Sequence, residues 1–229
     1  MKIIVVAMGL TTLVAAWMAA SAKTPHLPQD PRDVPREAQL TTTVAPADLN
    51  GDGVQEVLLA VNALTGESDP AKGSEVLFGI AAPNAGNERG KLLWTRHVMA
   101  ETGQPAHDGE LTAVDLDGDG HSDLVLTWDR SLVSGRVERR AEIYTVLDPA
   151  HPRKVWEGEW ELDTRQDKDV PAAQREWRRR EIDFGATRRE AGQAIVFKKI
   201  QAVEAGAKVQ PPRVESEWVK VALRAAAGS

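Results

Sequence analysis

Cysteine is absent from the 229 residues of this chain, which excludes disulfides, thiolate metal sites, iron–sulfur clusters, cysteine nucleophiles and a lipid anchor attached through cysteine. A surplus of basic residues is also lacking. The chain has 28 lysines and arginines against 34 aspartates and glutamates, and the formal net charge of −6 argues against nucleic-acid binding. With 42% hydrophobic and 27% charged residues, its composition is otherwise that of an ordinary globular protein.

The one long apolar run in the sequence lies at the N-terminus, where residues 1–22 have the features of a secretory signal peptide. Lys2 is followed by an apolar stretch up to Ala20, and Ala20-Ser21-Ala22 gives the small-residue pattern at which signal peptides are cleaved. We therefore expect cleavage after Ala22, a secreted or periplasmic location, and no membrane insertion of the remaining chain. The alternative is an uncleaved N-terminal anchor, since the run is nearly long enough to span a bilayer.

The rest of the chain indicates a β domain behind a linker. Residues 23–39 contain four prolines, which favours an extended linker, and short β-type runs separated by turn residues follow it. The predicted strands span 40–46, 55–62, 74–81, 91–98, 110–115, 122–128, 137–147, 153–162, 176–184, 193–203 and 214–223. Residues 171–181 fit a short helix as well as a strand. We predict an all-β domain over 40–223 and a C-terminal tail over 224–229.

Two nine-residue segments, here named the first acidic loop (48–56) and the second acidic loop (115–123), share the pattern D-x-[DN]-G-D-G-x-x-[DE]. Side-chain oxygens at positions 1, 3, 5 and 9, with the backbone carbonyl of position 7, are the hard ligands that Ca²⁺ prefers. Two Ca²⁺ sites are therefore predicted, with a histidine at position 7 of the second loop whose ring is expected to point to solvent. The predicted ligands are Asp48, Asn50, Asp52, Val54 and Glu56 in the first loop, and Asp115, Asp117, Asp119, His121 and Asp123 in the second.

Other interpretations of these loops are weaker. An EF-hand is excluded, because it requires Glu at position 12 between two helices, whereas Leu59 and Leu126 occupy that position inside β-type runs. A pair of ordinary turns remains as an alternative, since Asp, Asn and Gly are favoured turn residues. Two copies of one pattern favour calcium binding over that alternative. The second loop carries four carboxylates against three in the first, which predicts tighter Ca²⁺ binding there.

The acidic loops also reveal a repeat. Asp48 and Asp115 are 67 residues apart, and a further step of the same length falls beside Asp183. Each of these aspartates follows one predicted strand and precedes another, although the third has lost the acidic loop. A period of this length is typical of four-stranded propeller-type units. The inferred units span 40–107, 108–174 and 175–223.

Segments 47–60 and 114–127 resemble the calcium loops of FG-GAP and VCBS-type repeats, the units of integrin-α-like β-propellers. The resemblance implies that each loop lies between two strands of a blade and that its acids at positions 1, 3, 5 and 9 bind Ca²⁺. The chain departs from the family at Glu56, where Asp is usual, and in having three units where a ring has around seven blades. We therefore expect a short array of about three propeller-blade-like antiparallel sheets, open or atypical rather than a full seven-bladed ring, or copies that associate into a homo-oligomer.

The other chemically distinctive residues fit structural roles better than catalysis. None of the five histidines forms an H-E-x-x-H or similar zinc pair. Glu157, Glu159 and Glu161 alternate with apolar residues along one predicted strand, which is typical of a solvated face rather than of paired catalytic carboxylates. The tryptophans are expected mainly in the core, because other large side chains are few. The arginine-rich segment 175–190 is expected to form a salt-bridged, exposed strand.

The expected function is non-catalytic binding or adhesion at the cell envelope, with a protein or glycan partner and without nucleic acid or enzyme activity. Two alternatives stay open at this point. One is a structural accessory module of a larger envelope assembly, and the other is a hydrolase that uses Ca²⁺ as a cofactor. An exposed tryptophan cluster favours a glycan, a large apolar patch favours assembly, and a deep pocket with perturbed acids favours an enzyme.

Overall fold

The structure is a computed structural model that describes residues 39–64, 74–83, 91–98, 106–130, 136–205, 208–209 and 211–223. The predicted signal peptide, the tail and all of the linker except Gln39 lie outside the described residues. No helix in the described ranges is long and apolar enough to cross a membrane.

The described chain is nearly all β, as predicted, and its strands form two open antiparallel sheets. The first sheet contains, in spatial order, β1 (Gln39–Ala47), β2 (Glu56–Leu64), β3 (Glu75–Ala81) and β4 (Leu92–His97). The second sheet contains β5 (Ala106–Val114), β6 (Asp123–Arg130), β7 (Val137–Thr145), β8 (Arg153–Asp163), β9 (Glu176–Ile182) and β10 (Ala194–Ala205), and then, on the free side of β10, β11 (Lys208–Val209) and β12 (Arg213–Lys220).

Each predicted strand is found, and the largest boundary difference is at β5, which begins at Ala106 instead of residue 110. The ambiguous segment 171–181 forms a three-residue 3-10 helix at Ala172–Gln174 and then β9, so it is a strand over most of its length. Two elements of the described ranges were not predicted, namely the six-residue helix α1 (Phe184–Arg189) between β9 and β10 and the two-residue strand β11.

The second and third predicted units share one sheet. The register pairs Leu162 with Arg178, and one pair on either side of it joins β8 to β9. At the base of the loop 164–175, the backbone N–H of Thr164 donates to the carbonyl of Glu176 at 2.9 Å. This pairing places β9 directly beside β8, so the sheets number two instead of about three.

One hydrophobic core lies between the two sheets. Alternate residues of β2 and β3 face alternate residues of β6, as the period of two in a strand requires. Trp94 and Tyr144 meet across this interface with ring centroids 5.2 Å apart. Each fully buried large side chain contributes about 1.5–3 kcal/mol, so this core holds the sheets face to face. Its buried members include Leu58, Ala60, Val76, Phe78, Ile80, Leu124, Leu126 and Trp128.

A second core lies on the other face of the second sheet. Val125 of β6 and Ile143 of β7 cluster with Ile195 and Phe197 of β10. Since β10 is four strands away from β6 in the sheet order, the sheet must curl strongly to bring these residues together. β6 is consequently buried on both faces, which explains its nearly continuous apolar run.

The tryptophans largely follow the prediction of core packing. Trp128 is buried between the sheets, and Trp156 and Trp160 pack on Phe197 with centroid distances of 4.8 and 6.2 Å. Trp218 differs, because it lies on β12 with 56% of its surface exposed.

A buried ion pair also crosses between the sheets. Arg96 of β4 donates to both carboxylate oxygens of Glu142 on β7, at 2.8 and 2.9 Å, and the two side chains are only 7% and 2% exposed. Tyr144 donates its hydroxyl to the same carboxylate at 2.9 Å. Burial alone raises the pKa of Glu142, but the hydrogen bonds and charge of Arg96, with help from Tyr144 and Lys154, hold it below its ordinary value.

Candidate metal centres

Both acidic loops connect the first two strands of their units, β1 to β2 and β5 to β6. In each loop the aspartate at position 1 accepts hydrogen bonds from the backbone N–H groups of positions 4 and 6. The distances are 2.8 and 2.9 Å in the first loop and 2.6 and 3.2 Å in the second. The residues at positions 1, 4 and 6 are Asp48, Gly51 and Gly53 in the first loop, and Asp115, Gly118 and Gly120 in the second.

Three further hydrogen bonds recur in both loops. The N–H of position 5 donates to the side-chain oxygen of position 3 at 3.2 Å in each loop. The N–H of position 7, which is Val54 or His121, donates to the carboxylate of position 5 at 2.7 and 2.9 Å. The N–H of position 2 donates to the acid at position 9 at 3.1 and 3.2 Å. Glu56 therefore reaches the same backbone group as Asp123 despite its longer side chain.

The glycines permit this shared conformation. Those at positions 4 and 6 all have positive φ angles, of 74° and 83° in the first loop and 81° and 89° in the second. Residues with a Cβ rarely adopt such angles, so the sequence pattern specifies the curl of the backbone. The leucine at position 2 fixes the loop to the body of the protein, because Leu49 and Leu116 are both fully buried.

The polar side chains converge most closely in the second loop. One ligand oxygen from each of Asp115, Asp117 and Asp119 lies within 4.8 Å of the others. In the first loop Asn50 takes the place of the middle carboxylate and donates its side-chain amide to Asp52 at 3.0 Å. The first loop thus has a hydrogen bond where the second loop has two carboxylates that repel each other. The second loop concentrates negative charge, which a bound cation would offset.

Electrostatics at the second loop reflect this concentration of acids. Burial raises the pKa of Asp123 to about 7, and the nearby charges of Asp117 and Asp119 add to the effect. The N–H of Leu116 and the hydroxyl of Thr145 act in the opposite direction. A divalent cation bound at this loop would supply the positive charge that the buried carboxylate lacks, so the donor set fits a hard metal ion.

The two acidic loops touch each other. The backbone N–H of Ser122 donates to the carbonyl oxygen of Leu49 at 3.1 Å. A Cβ placed on Gly51 would lie only 3.3 Å from Nδ1 of His121, and that nitrogen is buried. The prediction that the His121 ring points to solvent is therefore wrong, because the ring packs against the first loop.

The third unit places a helix where the other units have an acidic loop. Asp183 caps α1 by accepting from the N–H of Ala186 at 3.0 Å, as position 1 of each loop accepts from position 4. Arg188 of this helix donates to the carbonyl oxygen of Asp115 at 3.1 Å and lies beside Gly118. The second and third units thus each contact the preceding unit at the glycine of position 4, which is Gly51 or Gly118. The repeat spacing in the sequence indicated the position of Asp183 but not the helix that follows it.

The glutamate stripe of β8 lies in ion pairs more than in solvent. The Glu159 carboxylate accepts hydrogen bonds from Nε and Nη2 of Arg178 at 2.7 and 2.9 Å. The Glu161 carboxylate accepts one from the indole N–H of Trp177 at 2.7 Å. Arg178 belongs to β9, which is salt-bridged as predicted but lies between β8 and β10 and is mostly half-buried instead of exposed. The hydrogen bonds and charge of Arg178, with the charges of Arg180 and Arg140, hold the pKa of Glu159 below its ordinary value, although burial raises it.

A second group of potential ligands was not predicted. His107, Asp108 and Asp129 bring one ligand atom each within 4.8 Å, at the end of β6 away from the acidic loops. Arg139 already binds Asp129 at 2.8 Å, so its positive charge opposes a cation there. The acidic loops are therefore the stronger candidates for a metal site.

Comparison with known proteins adds no relative: no protein family profile, curated protein sequence or solved structure significantly matches this chain.

Proposed function

We propose that this chain is an exported, calcium-binding β-repeat protein with a non-catalytic binding or adhesion role at the cell envelope. The observation that carries the calcium part is the equivalence of the two acidic loops, each of which has the same five backbone-to-side-chain hydrogen bonds and the same two positive φ angles. Ordinary turns that merely use favoured residues have no reason to share so detailed a geometry.

The chemistry of the donors supports Ca²⁺ over other ions. Each loop offers carboxylate or amide oxygens at positions 1, 3, 5 and 9, and Ca²⁺ takes six to eight hard oxygens in flexible geometry. Neither loop offers thiolate ligands, and the remaining oxygens of the shell are supplied by the position 7 carbonyl and by water. Extracellular modules of this kind bind Ca²⁺ with dissociation constants on the order of 0.1–1 mM.

The position of the loops supports a structural role for the ion. Both loops join strands that enter a core, since Leu49 belongs to the inter-sheet core and Leu116 to the core of the curled sheet. An ion bound in either loop fixes the ends of those strands. A protein without cysteine gains from calcium the restraint that exported domains of this size often obtain from disulfides.

Export is proposed from the sequence of residues 1–22, and a binding role from the absence of a nucleophile–base arrangement in the sequence motifs. A structural accessory module of an envelope assembly is the second candidate. It is favoured by the edge strand β12, where Val214 and Trp218 are 60% and 56% exposed on one face. Such an edge suits pairing with another protein or with a second copy of the chain.

Calcium titration of the purified mature chain tests the proposal. Calorimetry is expected to give two ions per chain, and the double variant D52A/D119A is expected to lose both heats. The matched control is D169N, an exposed aspartate outside the loops, which keeps both. Retention of the calcium heats by the double variant, or their absence from the unaltered protein, contradicts the metal assignment.

A further inference from the structure

The second sheet encloses a cleft that lies apart from the acidic loops. Its volume is about 580 Å³, which falls within the usual range for ligand sites. Strands β5 and β6 line one side of it and β9 lines the other, because the sheet curls without closing. Clefts at the mouth of a curled sheet are frequent ligand sites, and their lining residues determine which class of ligand they bind.

The floor of the cleft is apolar and partly aromatic. Val114, Val125 and Ile182 contribute aliphatic surface, and Trp160 contributes a ring that is held in place by Phe197. Phe184, the first residue of α1, lines the cleft with 42% of its surface exposed. An exposed aromatic ring beside an apolar floor offers a flat surface on which an apolar face of a ligand can stack.

The charged residues of the cleft balance in number and are held in fixed positions. Arg139 is bound to Asp129 at 2.8 Å, Arg180 to Glu217 at 2.7 Å, and Glu161 to Trp177 at 2.7 Å. Their orientation therefore costs little when a ligand binds. The lining charges are Arg139, Arg179 and Arg180 against Glu110, Glu161 and Glu181.

Equal numbers of arginines and glutamates leave the lining of the cleft without net charge and offer both hydrogen-bond donors and acceptors. Such a lining suits a neutral ligand that both donates and accepts hydrogen bonds. An anion is repelled by the three glutamates and a cation by the three arginines, so neither gains binding energy from the lining charges as a whole. Polyhydroxyl ligands have the required property, because each hydroxyl is at once a donor and an acceptor.

From these features we propose that the cleft binds a neutral oligosaccharide, with a sugar ring stacked against Phe184 and Trp160 and its hydroxyls bridging the arginines and glutamates. This inference rests on the binding role proposed above and names the class of its partner. It does not depend on the acidic loops, none of whose residues lines the cleft. The rival occupant is an extended peptide, which would place apolar side chains on the same floor. Each peptide N–H only donates and each C=O only accepts, whereas every sugar hydroxyl does both and can bridge an arginine and a glutamate.

The test uses the mature chain and three neutral trisaccharides, namely cellotriose, maltotriose and N,N′,N″-triacetylchitotriose. The anionic 3′-sialyllactose and an extended Ala-Val-Thr-Val-Ala-Val peptide are the comparison ligands. Binding is measured by calorimetry and tryptophan fluorescence in millimolar Ca²⁺ and again in EDTA. At least one neutral trisaccharide is expected to bind, and more tightly than either comparison ligand.

Two matched exposed aromatics locate the binding. F184A removes a ring from the cleft and is expected to weaken saccharide binding about tenfold, the loss of roughly one stacking contact. W218A removes an exposed ring outside the cleft and is expected to change binding less than about twofold. R179Q and R213Q form a second pair of the same design, since Arg213 is also exposed but does not line the cleft.

Failure has a distinct form for each proposal. Absence of saccharide binding, preference for sialyllactose or the peptide, or equal losses in F184A and W218A overturns the oligosaccharide cleft. Saccharide binding without any calcium heat upholds the cleft and overturns the calcium assignment instead.

Discussion

The backbone N–H of Ser122 donates to the carbonyl oxygen of Leu49 across 3.1 Å, so the two acidic loops are hydrogen-bonded to each other. The His121 ring packs on Gly51 beside this bond. Each loop joins the first two strands of its unit, and the contact makes the position of one loop depend on the other. An ion bound in the second loop would therefore also restrain the first.

The second loop is expected to bind Ca²⁺ more tightly than the first. It holds four carboxylates, and three of them already converge within 4.8 Å, whereas Asn50 relieves the repulsion in the first loop. Calorimetry on D52A and D119A separates the two sites, since each variant leaves one loop intact. A tighter residual site in D119A than in D52A would reverse the expected order.

The loop glycines are expected to stabilise the fold through their backbone angles. A Cβ on Gly120 meets no atom within 4 Å, so G120A introduces strain only through its φ of 89°. We expect a loss of about 1 kcal/mol in the free energy of unfolding. The control is G185A in α1, where alanine favours the helix and is expected to gain about 0.5 kcal/mol. Urea unfolding in EDTA measures both, and a stabilised G120A is incompatible with this account.

The Arg96–Glu142 pair is expected to hold the sheets together. E142Q leaves a buried guanidinium without its counter-charge, and the expected loss is about 3 kcal/mol. The control is E157Q, which breaks an exposed pair with Lys154 and is expected to cost less than about 1 kcal/mol. Similar losses of stability in the two variants would mean that the buried pair stabilises the protein no more than an exposed pair does.

The same pair predicts a pH dependence. The pKa of Glu142 lies below the ordinary value of 4.5, so near that pH the folded protein binds fewer protons than the unfolded chain. The stabilisation is therefore complete above about pH 4.5 and is lost as the pH falls through the lower folded-state pKa. The stability difference between the unaltered protein and E142Q is expected to shrink on acidification. A difference that stays constant between neutral and strongly acidic pH contradicts this assignment.

The sequence predicted the local structure well because that structure follows from neighbouring residues. The apolar runs of β2, β6 and β10 and the turn residues between them are sufficient to find the strands. The glycines at positions 4 and 6 likewise predict the loop geometry, since only their φ angles allow it.

What the sequence did not predict depends on distant contacts or on short elements. Helix α1 has six residues, too few to show a helical period, and Asp183 resembled a degenerate acidic loop. The contact of His121 with Gly51 joins residues from different units, as does the pairing of β8 with β9. The cleft arises from the curl of the second sheet, which no single segment encodes.

Thermal unfolding of the mature chain in EDTA and in 10 mM Ca²⁺ measures whether calcium stabilises the fold. With dissociation constants of about 0.1–1 mM, each bound ion contributes about 1.4–2.7 kcal/mol at that concentration. We expect a rise in Tm of roughly 3–10 °C for one occupied site and more for two, reversed by EDTA and absent in D52A/D119A. A Tm that does not change with calcium would contradict the assignment of the acidic loops as calcium sites.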